Sequence, residues 1–127
     1  MACGSKFVDN LHNGGIIADI DLETGELKTD GQDFFNNVYV RHPDTGYPIK
    51  GFRIPFFEEM KQMIEKAGAS FEALLGWDIA ITESGPVIIE INSSPGAVIL
   101  QVPYVMQRIG MRHAVAKYLD AQPITFQ

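Results

Sequence analysis

The chain has a single cysteine, Cys3, in 127 residues, so it can build neither a disulfide framework nor a cysteine-based metal site. That usage fits a reducing cytoplasm. Positive charge is also scarce: 10 Lys and Arg stand against 16 Asp and Glu, giving a formal net charge of −6. A nonspecific nucleic-acid surface needs a basic face, and these cations are scattered, so no nucleic-acid partner is expected. Long hydrophobic runs are missing as well. The stretch 97–106 is broken by Gln101 and Pro103 and falls short of the roughly 18 to 20 apolar residues of a membrane span. The first residues show no basic-then-apolar leader pattern, and no repeat or low-complexity tract is visible. What is present is a hydrophobic fraction of 46%, enough to give one core. Residues 1–127 therefore read as a single cytoplasmic domain.

The richest stretch runs from Gly76 to Gly96, Gly-Trp-Asp-Ile-Ala-Ile-Thr-Glu-Ser-Gly-Pro-Val-Ile-Ile-Glu-Ile-Asn-Ser-Ser-Pro-Gly. Two β-branched runs, 77–82 and 87–91, flank Glu83-Ser84-Gly85, which predicts a hairpin with a three-residue loop and Gly85 in the left-handed region. In that register Asp78 faces Glu90 and Ala80 faces Ile88. Asp78, Ala80, Ile88, Glu90 and Asn92 then share one face, while Trp77, Ile79, Ile81, Val87, Ile89 and Ile91 form a wholly apolar one. Like charges directly opposite on a sheet destabilise it by up to about 1 kcal/mol unless a cation sits between them. Magnesium takes oxygen ligands and commonly uses one or two carboxylates plus substrate phosphates. The three oxygen-bearing side chains thus predict a Mg2+ site, with Mn2+ as a substitute. The alternative is an exposed hairpin whose acids simply solvate its outer face.

An Asp, a Glu twelve positions on, an Asn two further and then Ser93-Ser94-Pro95-Gly96 resemble the metal-binding end of the ATP-grasp fold. His42-Pro-Asp-Thr-Gly-Tyr-Pro48, Gly51-Phe-Arg-Ile-Pro55 and the approach to Gly76-Trp-Asp78 are similar, more narrowly, to its sugar-transfer-associated branch, some members of which are labelled hexapeptide transferases. Asn10-Leu-His-Asn-Gly-Gly15 resembles the Asn-x-His-x-Gly-Gly entry of related amino-acid ligases. The resemblance implies that Asp78, Glu90 and Asn92 hold one or two magnesium ions on the β- and γ-phosphates of ATP. A substrate carboxylate would then be activated as an acyl phosphate and captured by an amine or other nucleophile. It also places Asn10 and His12 near nucleotide or acceptor, where an Asx-type turn cap is the alternative. Ile88 would supply an apolar wall near the nucleotide, or fill a core gap. Ser93 and Ser94 would cap a helix or turn, suiting phosphate.

Two departures from the family pattern stand out. Gly76 occupies the position, two before the Asp, where many of these ligases carry an Arg, and the lysine-bearing ATP-grasp subdomain has no counterpart ahead of Asn10. The expectation is the C-terminal half of a larger enzyme, inactive alone, whether excised or a natural solo domain, with the missing N-terminal subdomain as partner. A non-catalytic binding or interaction module on the same scaffold is the alternative.

Elsewhere, residues 16–20 and 26–29 predict a first hairpin turning at Glu23-Thr24-Gly25, with Asp30-Gly31 as a further turn. Residues 33–40 are mixed, and 41–51 read as a loop with strand edges. His42, and Arg41 and Arg53 flanking this loop, either meet an anionic acceptor or are simply solvated. Pro55 opens a predicted helix with Phe56, Met60, Met63, Ile64 and Ala67 at helical spacing before Gly68. A second helix is predicted over 104–119, containing His113 as a structural residue. The fold class is α+β, an antiparallel β-sheet of hairpins packed against two main helices.

Overall fold

A computed structural model describes residues 14–71 and 75–93. Its element order is β1 (Gly31–Gln32), β2 (Val38–Tyr39), α1 (Phe57–Gly68), β3 (Gly76–Thr82) and β4 (Gly85–Asn92). Both β1 with β2 and β3 with β4 pair antiparallel, so the described residues form an α+β arrangement of two two-stranded sheets and one helix. The second predicted helix, 104–119, lies outside the described residues, as do Asn10 and His12.

Among the described residues the buried apolar cluster centres on three side chains. Ile16 and Ile49 are 1% exposed and Leu27 6%, with Ala18, Ile20, Tyr39 and Ile54 packed against them. The predicted first hairpin is present as single bridges rather than regular strands: Ile20 pairs with Leu27, and Lys28 donates to the Asp19 carbonyl at 2.8 Å. Its turn is held by Asp21, whose carboxylate accepts from the Glu23 and Thr24 amides at 3.0 and 2.9 Å. Those bonds, Thr24's first, hold the Asp21 carboxyl below the usual carboxylate range. On its other side the 25–27 segment meets 51–54, with Leu27 donating to Phe52 and Gly51 to Leu27, both at 2.9 Å.

Gly31 does not make the turn predicted for it. It opens β1, buried, where an added Cβ would lie 2.4 Å from Ile16 Cγ2 and 2.7 Å from Ile49 Cδ1. Glycine is there for close approach in the core, so Gly31→Ala is expected to overpack it and destabilise by about 1–3 kcal/mol in chemical denaturation. Residues 41–51 form the expected loop with strand edges. Arg41 bridges Pro48, and Ile49 and His42 donate to Val40 and Tyr47.

Helix α1 starts at Phe57, two residues after Pro55. Phe56 sits at φ 56, ψ 30, which cannot continue into a right-handed helix, although its carbonyl accepts the first helical bond from Met60 at 2.9 Å. Phe57 thereby replaces Phe56 as the buried leading residue. At the far end Ala69 donates to Glu65, and Gly68 has room for a methyl, whose nearest neighbour would be Trp77 Cζ2 at 3.6 Å. Gly68→Ala is therefore expected to raise stability by about 0.5–1 kcal/mol, seen as a higher Tm.

Candidate functional site

The β3–β4 hairpin gives the site its geometry. Asp78 pairs with Glu90 and Gly76 with Asn92, the facing expected from the sequence. Nearer the turn the register differs from prediction. Ile79 pairs with Ile88, Ala80 with Val87, Ile81 with Pro86 and Thr82 with Gly85, leaving Glu83 and Ser84 as a two-residue loop. The Thr82 hydroxyl closes it, donating to the Gly85 carbonyl at 2.7 Å and accepting from the Ser84 amide at 3.3 Å. Gly85 does take a positive φ, 127°, open to glycine but outside the left-handed helical value.

Two registers meet in one hairpin because β4 has a bulge between the Asp78 and Ile79 levels, where Ile89 has no cross-strand partner. The bulge inverts the face of every β4 residue on its turn side. Ile88 therefore falls opposite Ile79 on the Trp77 face and not beside the carboxylates, correcting the predicted apolar wall. Val87, opposite Ala80 and 46% exposed, stands on the Asp78 face instead. Trp77 lies toward α1, whose Gly68 is its neighbour, so the Asp78 face is turned away from the helix.

Asp78 and Glu90 are exposed and Asn92 is half-buried. No Lys, Arg or His among the described residues pairs with either carboxylate; the described salt bridges are Lys28–Asp19 and Lys61–Glu58. Two uncompensated carboxylates sit opposite each other, with an amide one pair further along. This donor set suits a hard, partly hydrated dication. No cluster of three His, Cys, Asp or Glu side chains capable of holding a metal occurs among the described residues. Ser93 follows directly and is exposed, whereas Ser94, Pro95 and Gly96 lie outside the described residues.

The remaining sequence candidates separate. The Arg41 guanidinium donates to the Gly46 carbonyl at 2.8 Å and so pins its own hairpin tip. His42 Nδ1 accepts from the Asp44 amide at 3.3 Å. Arg53 is exposed and lines an open cleft of about 600 Å³ with Glu23, Thr24, Phe56, Glu58 and Glu59. None of the cleft's lining residues comes from β3 or β4.

Asp33, for which the sequence suggests no role, has the densest polar network among the described residues. Its carboxylate is buried and accepts from the Phe35 and Asn37 amides at 2.9 Å each, from Asn37 Nδ2 at 2.8 Å and from the Tyr39 hydroxyl at 3.1 Å. Burial pushes its pKa up, but the bonds from Asn37, Tyr39 and Phe35 outweigh it and the net direction is down. An Asp followed by Asn36 and Asn37 was the available signal, since such residues bond to nearby backbone in turns.

No helix among the described residues is long and apolar enough to cross a membrane. Neither the curated proteins nor the solved structures gave a match to the chain. A family model did: the sugar-transfer associated ATP-grasp model matches residues 1–117. With nearly the whole length matched, the chain belongs to the sugar-transfer associated ATP-grasp family.

Proposed function

We propose that the chain supplies the metal-bearing face of an ATP-dependent carboxylate ligase, with Asp78, Glu90 and Asn92 as ligands of Mg2+ bound to ATP. The observation behind this is the Asp78–Glu90 pair: two exposed carboxylates directly opposite on an antiparallel ladder, without a cationic partner among the described residues. When bound, the ion would neutralise phosphate charge and so ease attack on the γ-phosphoryl group. The chain's own residues hold oxygen atoms in fixed relation on a strand pair and keep the opposite face apolar for packing. Ser93, Asn10 and His12 are proposed to reach nucleotide or acceptor. A carboxylate substrate and a preceding ATP-grasp subdomain complete the reading, in cell-surface sugar or polysaccharide metabolism. A non-catalytic module is the second reading, favoured by Gly76 in place of the family's Arg.

Calorimetry with Mg-ATP tests the ligand set, comparing the chain with an Asp78→Asn/Glu90→Gln variant of matched Tm. Affinity should fall at least tenfold, about 1.4 kcal/mol or more. Equal affinities would overturn the ligand assignment. Binding without ATP turnover, once the preceding subdomain is supplied, would favour the second reading.

A further inference from the structure

The register of the hairpin does not itself require the bulge at Ile89. A straight ladder continued from Thr82↔Gly85 needs one residue fewer in β4: without Ile89, Glu90 would follow Ile88 directly and still face Asp78, and Ile91 would still face Trp77. The extra residue forfeits ladder pairing. It also gains little burial, since Ile89 is 67% exposed, the most exposed apolar residue of the hairpin. A residue that costs pairing and adds little packing sits immediately before Glu90, at the level of Asp78. Bulges bend the strand that contains them and sharpen its local twist, re-aiming the neighbouring side chains.

From this we infer that Ile89 is a positioning residue: its unpaired backbone sets the separation and aim of the Asp78 and Glu90 carboxylates for a dication. The inference rests on the metal reading above. The device is the inserted peptide unit, not the sec-butyl side chain. Ile89→Ala, which keeps the insertion, should therefore behave as the parent, and deletion of Ile89, which keeps both carboxylates and their facing, should not.

Direct titration with Mn2+, followed by electron paramagnetic resonance, separates these cases in the full chain, with thermal melts alongside. The Ile89 deletion should bind Mn2+ at least tenfold more weakly than the parent while its Tm is unchanged or higher. Ile89→Ala should stay within about threefold of the parent in affinity. Parent-like affinity in the deletion, with Asp78→Asn/Glu90→Gln still weakened, would overturn the positioning role and leave the metal reading standing. If the parent binds Mn2+ no better than that double variant, the metal reading fails and the inference falls with it. A deletion that loses stability and affinity together would also count against the inference, because the bulge would then be a packing feature.

Discussion

Gly25→Ala is expected to destabilise the protein by about 2–4 kcal/mol, a fall in Tm of about 10 °C or more. Two penalties add. Gly25 sits at φ +72, where a residue with a Cβ pays roughly 1–2 kcal/mol. The Cβ itself would land 2.5 Å from Phe57 Cγ, 2.7 Å from Cδ1 and 2.8 Å from Cβ. Turning the ring does not clear the last of these, because Phe57 Cβ is fixed by the first turn of α1. Nor is the glycine free to withdraw: its amide donates to Asp21 at 2.8 Å, and its carbonyl accepts from Ile54 at 2.9 Å. Chemical denaturation with unchanged slope would measure the loss. A shift below about 0.5 kcal/mol would mean that the turn and the helix do not meet as described.

The second large effect is at Asp33. Asp33→Ala removes the acceptor of four bonds and leaves the Tyr39 hydroxyl and Asn37 groups to find new partners, a loss of about 2–4 kcal/mol. Its pH dependence has a definite sign. The folded pKa is lowered, so the ionised carboxylate's stabilisation is fully present above the unfolded value near 4 and is lost as pH falls through the folded value. Asp33→Asn, nearly isosteric, should flatten that part of the acid limb below about pH 4 while leaving the slope near pH 7 unchanged. An acid limb identical to the parent's would show that Asp33 does not titrate differently on folding.

The parts of this molecule readable from sequence were those governed by a two-residue or 3.6-residue period. Alternation puts Asp78 and Ala80 on one face of β3 and Glu90 and Asn92 on one face of β4, and the 3.6-residue period gives the Met60, Met63, Ile64 and Ala67 stripe of α1. The register between the strands does not follow from either period: a three-residue loop is expected where the structure has two residues, which moves Ile88 to the other face, and the bulge at Ile89, unmarked in a run of Ile and Val, restores the Asp78–Glu90 facing. Phe56 was likewise unreadable, since a bulky residue with positive φ is dictated by the chain around it rather than by its own preference. Gly31 misled for a related reason. Asp-Gly is a turn signal, and here the glycine serves packing between Ile16 and Ile49 instead.

Trp77 is the sole tryptophan of the chain, and it stands one residue before Asp78 with its indole toward Gly68. Its emission therefore reports from a single address, the seam between α1 and the hairpin. Strand alternation puts the ring on the side opposite the carboxylates, so a bound ion acts on it only through the backbone. A spectral change on adding a diamagnetic ion such as Mg2+ would therefore be a strain gauge for the hairpin rather than a contact signal. Gly68→Ala, by placing a methyl against the ring, would shift the same emission with no ion present.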